Sequence, residues 1–342
     1  MPPLVQILLL WSTHSAYAGK TPSVVLNNGI KMPQIVYGTG GPTQENQSST
    51  EAAVAVAVSR QVGFQGLDCA NHYHNQEGVA RGIAKSGTAR EALWVQTKVE
   101  PCGHSIVRNG HCFEDTLTAF NQNLKELNLS QVDMTLIHAP PCVPNSGWAN
   151  DACVWDNEPI YPQNCKCSVE APCKMMQQQW AALEQMLKAN KTRAIGVSNF
   201  CAACLDCLAR NSSVVPAVNQ LLLHVGMSAT ADPYGLFQLN RKRGIQVQAY
   251  SPLQGSNDYA HVLLTHPTVM HIALAHNRSA AQILLRWVVQ QGHALATATV
   301  KRSYMLEDLD LYGWALSDAE AEQLAALGAV APDDPVKSMC VL

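Results

Sequence analysis

From residue 35 onward, short β-branched runs alternate with longer amphipathic or Ala/Leu-rich segments, and this rhythm constrains the fold more than any other feature of the chain. The candidate strands are Ile35 to Thr39, Gly66 to Asp68, Leu93 to Lys98, Asp133 to His138, Ala194 to Ser198, Ala217 to Gln220, Gln246 to Tyr250 and Ala294 to Ala298. Helical patterns lie between them, including Thr50 to Gln61, Glu77 to Lys85, Thr116 to Leu127, Met175 to Ala189, Pro233 to Arg243 and Ala280 to Gln290. Eight strands alternating with helices over about 270 residues predict an α/β fold of the (β/α)8 barrel type rather than an open doubly wound sheet. Ahead of the repeat, Leu26-Asn27-Asn28-Gly29-Ile30 reads as a hairpin turn, because Asn-Gly supplies positive φ at low cost. This hairpin is expected to cap the barrel.

A barrel of this kind places its chemistry at the C-terminal ends of its strands. Polar residues fall there: Asp68, Lys98, His138, Ser198 with Asn199, Gln220 and Tyr250 each close an apolar run. Asp68 and Lys98, on neighbouring strand ends, would meet in a low-dielectric mouth, where a lone charge is costly and a pair is tolerated. Tyr73 follows five residues after Asp68, within reach of the lysine ammonium. A cation beside a phenol favours the phenolate, so the sequence predicts a lowered Tyr73 pKa and a proton donor working near neutrality. His138 would add a hydrogen bond that orients a substrate oxygen. Together these four side chains suggest protonation of a carbonyl oxygen, which requires a hydride source.

Composition narrows the classes further. Of 342 residues, 47% are hydrophobic and only 14% charged, which suits a large core and excludes a disordered, solvating chain. The formal net charge of −3 and the absence of a basic stripe beyond Arg241-Lys242-Arg243 argue against nucleic acid as a partner. No apolar run reaches the roughly 20 residues of a membrane-spanning helix. Leu4 to Trp11, followed by Ala16-Tyr17-Ala18 before Gly19, reads as a secretory signal peptide over residues 1–18, leaving a barrel domain over 19–342. Ten of the twelve cysteines fall in three patches: Cys102 and Cys112; Cys142, Cys153, Cys165, Cys167 and Cys173; and Cys201, Cys204 and Cys207. Such clustering suits an oxidising compartment, and five Asn-x-Ser/Thr sequons, at Asn46, Asn128, Asn190, Asn211 and Asn277, agree with it.

The motifs, in order, carry a resemblance. LNNGIKMP from Leu26, YGTG from Tyr37, GFQGLDCANHYHNQEGVARGI from Gly63, VDMTLIHAP from Val132, IGVSNF from Ile195, AVNQ from Ala217, AYSPL from Ala249 and AQILLRW from Ala281 resemble the aldo-keto reductases over nearly the whole mature chain. The resemblance implies a reductase of aldehydes or ketones in which Tyr73 is the general acid, Lys98 and Asp68 tune it, and His138 orients the carbonyl. It further implies a nicotinamide cofactor, NADPH with NADH as the alternative. Ser198, Asn199 and Gln220 would hold its carboxamide, Tyr250 would stack on its ring, and Ser251, Leu253 and Ser256 would follow its pyrophosphate.

The last strand departs most from the family pattern. Where NADPH-preferring members carry Pro-Lys-Ser, then an arginine and a Glu-Asn pair, this chain has Thr297-Ala298-Thr299, then Tyr304 and Glu307-Asp308. Thr299, Tyr304 and Asp308 take the cofactor positions, with Lys301 and Arg302 nearby to replace the missing cations. Gly40 and Ala139 stand where aromatic residues are common, which implies a roomier pocket. A Cys-rich insertion, 142–173, follows the fourth strand, and all ten clustered cysteines are expected above the active site, forming up to five disulfides with Cys102 to Cys112 the local one. Cys201, Cys204 and Cys207 have ligand-like spacing, but a helix start explains it as well, and no metal is expected. The expectation is a monomer of the secretory pathway acting on a small carbonyl substrate. A barrel that binds a cofactor without catalysis is the other reading.

Overall fold

The computed structural model describes residues 21–102, 111–141, 153–155, 158–160, 170–226, 232, 235–253 and 258–327. The predicted signal peptide, Ser256 and most of the Cys-rich insertion lie outside the described residues. A hairpin of β1 (Ser23–Val25) and β2 (Lys31–Pro33) precedes a closed, all-parallel barrel. Its eight strands are β3 (Ile35–Gly38), β4 (Gly66–Asp68), β5 (Trp94–Val99), β6 (Val132–Ile137), β9 (Thr192–Ser198), β10 (Val218–Leu222), β11 (Gln246–Tyr250) and β12 (Ala294–Thr297). Between β6 and β9, two short strands of the insertion, β7 (Cys153–Trp155) and β8 (Glu158–Ile160), pair antiparallel. The barrel closes through β12 on β3, with Leu295 opposite Ile35.

The strands are short, and β3, β4, β5, β6 and β12 are buried along their length because helices cover them outside and side chains fill the barrel inside. The helices are α1 (Gln47–Ala57), α2 (Gln76–Ser86), α3 (Cys112–Glu126), α4 (Glu170–Lys188), α5 (Ala202–Ala209), α6 (Leu236–Lys242), α7 (Asp258–Leu264), α8 (Pro267–His276), α9 (Ala280–Gln290), α10 (Arg302–Leu309) and α11 (Asp318–Ala325). The eight predicted barrel strands are all present, with ends shifted by at most two residues. Helices α7, α8, α10 and α11 were not among the predicted segments; α8 has apolar residues all round, which blurs the helical period. Helix α1 is capped by Asn46, whose side chain accepts from the Ser49 amide, and α9 and α11 begin with reciprocal Ser279/Gln282 and Ser317/Glu320 boxes.

The hairpin cap closes the bottom of the barrel. Gly29 takes φ +81° in its turn, and Leu26 and Met32 pack with Trp94, Met134, Leu136 and Val218 of the barrel floor. The Asn27 amide donates to the Pro216 carbonyl at 3.0 Å, and that of Asn28 to Arg193 at 3.2 Å, fastening the cap to the starts of β10 and β9. The cap leaves the opposite, C-terminal end of the barrel as the open one.

Near that open end, Cys102 at the exit of β5 and Cys112 at the start of α3 lie with Cα atoms 5.4 Å apart. Cys173 and Cys207 bring α4 and α5 together at 5.7 Å. Cys173 stands in the first turns of α4 rather than in a loop, so the insertion ends before residue 170 and not at 173. Cys142, Cys165 and Cys167 lie outside the described residues.

Candidate active site

Three neighbouring strand ends bring the four predicted catalytic side chains into one volume. Asp68 ends β4, Lys98 lies in β5, and His138 follows β6 directly. Tyr73 closes a single 3-10 turn, Asn71–Tyr73, which folds the loop after β4 back over the barrel mouth. Lys98 Nζ donates to Asp68 Oδ1 at 2.7 Å, to the Cys69 carbonyl at 3.1 Å and to Tyr73 Oη at 3.1 Å. All three ammonium donors are therefore used. The His138 ring meets the Tyr73 ring edge-on with centroids 5.6 Å apart.

The electrostatics follow from burial. Lys98 is fully buried, which on its own favours the neutral amine, yet the Asp68 carboxylate and the Tyr73 oxygen hold its pKa above the ordinary value, so it stays charged. The predicted lowering of Tyr73 is not what the structure shows: removal of the phenol from water raises its pKa, and Lys98 only opposes that rise while Asp68 adds to it. Asp68 offsets only part of the effect of Lys98, and burial outweighs what remains. His138 is pushed well below its usual range by burial first, then by Lys98 and His72, and is a neutral imidazole at pH 7.

A cavity of about 400 Å³ opens beside this cluster, within the usual range for small-molecule and cofactor sites. Gly38, Gly40 and Gly41, with the adjoining Ala296 to Ala298, line one side, Tyr250 to Leu253 another, and Asp68 and Tyr73 the end. Gly40 lets the Tyr73 ring pack close against the exit of β3, since a Cβ there would lie 2.9 Å from Tyr73 Cζ and force the ring to shift. The small residues on the glycine side leave room for a long ligand running toward the Tyr73 hydroxyl.

The predicted cofactor residues divide into two groups. Ser198, Asn199, Gln220 and Tyr250 come together: Ser198 Oγ donates to the Gln220 carbonyl at 3.0 Å, Tyr250 Oη donates to Asn199 Oδ1 at 2.9 Å, and the Asn199 amide donates to the His138 carbonyl at 3.0 Å. Asn199 and Ser251 both have positive φ, +62° and +48°, a backbone strain that concentrates at binding sites. Ser251 and Leu253 line the cavity. Thr299, Tyr304 and Asp308 do not line it. The Thr299 carbonyl accepts from Tyr37 Oη at 2.9 Å, and the half-exposed Tyr304 ring lies under Lys301 Nζ at 4.9 Å. Arg302 turns away toward the Gln61 carbonyl. Asp308 is buried behind the cavity wall and accepts from Thr297 Oγ1 at 2.8 Å, so its carboxylate faces the strand and not the groove.

Three polar residues of the site were missed in the sequence. Gln96 donates to Asp68 Oδ1 at 2.7 Å and to Gln248 Oε1 at 2.8 Å, and Gln220 donates to the same Gln248 oxygen at 2.8 Å. This chain of amides holds Asp68 from below. The signal was available, since Gln96 precedes Lys98 by two residues and so shares its face of the strand. Glu100 continues that row upward. Among the described residues no group of three or more His, Cys, Asp or Glu is arranged to hold a metal ion.

A closed parallel barrel with an Asp, Tyr, Lys and His cluster at its mouth, beside a cavity sized for a cofactor, defines a barrel oxidoreductase. Residues 34–329 match the profile of the Aldo/keto reductase family, and the chain belongs to that family. It is 35% identical over 319 residues to morphine 6-dehydrogenase of Pseudomonas putida, covering 91% of this chain and 92% of that protein. It is 31% identical to glyoxal reductase of Bacillus subtilis, covering 89% and 92%. Among solved structures, an aldo-keto reductase of Bombyx mori in complex with NADP superposes with a TM-score of 0.72 at 25% identity, covering 92% of this chain and 94% of that one. The activity that follows from family and site is carbonyl reduction with a nicotinamide cofactor.

Proposed function

We propose that this protein reduces aldehydes or ketones to alcohols with NADPH, and that Tyr73 delivers the proton. The observation that carries this reading is the position of Lys98 Nζ, 2.7 Å from Asp68 and 3.1 Å from Tyr73 at the end of the cavity. Because the ammonium donates to Tyr73 Oη, the phenol's own hydrogen points away from it, toward a carbonyl oxygen in the cavity. His138, being neutral, offers an N–H to that oxygen and is too weak an acid to replace the phenol. When bound, NADPH would supply the hydride needed at the carbonyl carbon. As that carbon gains the hydride, Tyr73 passes its proton to the oxygen, Lys98 stabilises the charge left on the phenol, and solvent returns the proton afterwards.

The side chains fit such a cofactor. Asn199 holds its amide beside Tyr250, which lines the cavity, and the glycine wall admits a ring against it, while the Gln220 amide is engaged by Gln248. Lys301 over Tyr304 offers a cation and an aromatic face outside the cavity, which favours NADPH over NADH. Transfer of deuterium from 4-deuterated NADPH to the carbonyl carbon of the product tests the reading directly. Saturable cofactor binding without any transfer would instead make the protein a non-catalytic binding barrel.

The secretory route, the disulfides and the monomeric state belong to the same reading. The apolar segment Leu4 to Trp11 and the Ala16-Tyr17-Ala18 site support cleavage before Gly19, tested by the mature N-terminal sequence. The Cα separations of the Cys102–Cys112 and Cys173–Cys207 pairs suit disulfides, tested by mass mapping without reduction. Light scattering tests the monomer.

A further inference from the structure

Among the described residues, Glu100 is a buried carboxylate close to the tetrad that the chemistry above does not use. It follows Lys98 by two residues at the exit of β5, so it shares the inward face of that strand one step nearer the mouth. Its side chain is only 4% exposed. Among the described residues its Oε2 has no hydrogen-bond partner, and its Oε1 has only His72 Nδ1, at 3.6 Å. The His72 ring in turn lies edge-on to His138 with centroids 6.1 Å apart, on the chain neighbour of Tyr73. Glu100 is therefore linked through His72 to His138, the side chain expected to meet the carbonyl, although it does not line the cavity of about 400 Å³ itself.

A buried carboxylate oxygen without a donor is costly, and proteins keep such groups where a ligand completes them. Lys98 cannot serve, because its three donors go to Asp68, Cys69 and Tyr73.

We propose that Glu100 is a specificity-determining residue whose carboxylate receives a hydrogen-bond donor carried by the carbonyl substrate, so that the enzyme favours hydroxylated aldehydes over their hydrocarbon isosteres. This rests on the carbonyl-reductase reading and names the substrate class for it. A site built to bond a hydroxyl discriminates strongly against the analogue that lacks one, since the buried acceptor is then left unpaired.

The test compares kcat/KM for glyceraldehyde and for 2-methylbutanal, in which methyl groups replace both hydroxyls. The unaltered protein is expected to prefer glyceraldehyde, and Glu100→Leu is expected to lower that preference roughly 10- to 100-fold, mostly through KM. Glu100→Gln keeps an acceptor without its charge and is expected to lower it a few-fold, so it carries the same test if the Leu variant does not fold. Both variants are expected to melt no lower than the unaltered protein, because an unpaired buried charge is removed, whereas loss of a merely structural residue would lower the melting temperature. An unchanged substrate ratio, with both substrates affected equally, would overturn the inference and leave the reductase reading standing. Absence of turnover with either aldehyde in the unaltered protein would overturn both.

Discussion

Replacing Asp308 by asparagine isolates the cost of a buried charge behind the cofactor cavity. Asp308 is 4% exposed, and its one described hydrogen bond comes from Thr297 Oγ1. Burial raises its pKa from the ordinary 3.8 to about 7, against which the Thr297 bond works only partly. The unfolded chain releases this proton near pH 4 while the folded protein keeps it to about pH 7. Stability from this group is thus fully present below pH 4 and is lost as pH rises through about 7. Between pH 5 and pH 8 the loss is roughly 2.5 kcal/mol, at ~1.4 kcal/mol for each pH unit over which the two states differ by a proton. Asparagine retains an acceptor for Thr297 and does not titrate. Urea unfolding of both proteins at pH 5 and pH 8 gives the comparison, in which all other titrating groups cancel. Asp308→Asn is expected to gain on the unaltered protein by roughly 2.5 kcal/mol between the two pH values. A difference between the proteins that does not change with pH would refute the reasoning, because it would mean that Asp308 ionises as easily folded as unfolded.

Other consequences follow from the same structure. Lys98→Met leaves Asp68 buried without its cation and is expected to cost roughly 3–5 kcal/mol in thermal or denaturant unfolding, together with loss of turnover. Turnover limited by the Tyr73 proton is expected to hold through the neutral range and fall only at strongly alkaline pH, since burial raises the phenol above its ordinary value of 10.0 and ionisation removes the donor; a pH–rate profile checks the limb. Gly78→Ala in α2 would place a Cβ 2.3 Å from the Gln47 carbonyl of α1 and is expected to lower stability by roughly 1–3 kcal/mol, read as a fall in melting temperature. Replacing Cys173 and Cys207 together by serine is expected to cost roughly 3–4 kcal/mol if the pair is oxidised, because it closes a loop of 34 residues.

The barrel was legible because its strands are short apolar runs, six of them closed by a polar residue of the predicted site, and both features survive in a sequence without coordinates. Asp68, Lys98 and His138 were legible for the same reason, and Tyr73 because five residues place it within reach of Lys98. The direction of the Tyr73 shift was not legible. It depends on how much water the folded loop excludes and on how far Asp68 cancels Lys98, and neither is written in spacing. Asp308 was placed in the cofactor groove by its position after β12, but α10 turns it inward against Thr297. Gln96 and Gln248 were passed over because an amide within an apolar strand reads as an interruption, although its alternation with Lys98 marks an inward face. Glu100 was hidden by the same habit, lying just past the residue taken as the strand end.

The central claim is that Tyr73 donates the proton while other groups bind. The most direct measurement is NADPH oxidation with an aldehyde by the unaltered protein and by Tyr73→Phe, alongside cofactor affinity from quenching of protein fluorescence. Loss of the phenol is expected to lower turnover by at least about 100-fold while the cofactor still binds within a few-fold of its original affinity. A Tyr73→Phe protein that retains its turnover would contradict the account, because the proton would then come from a group other than the one Lys98 holds in place.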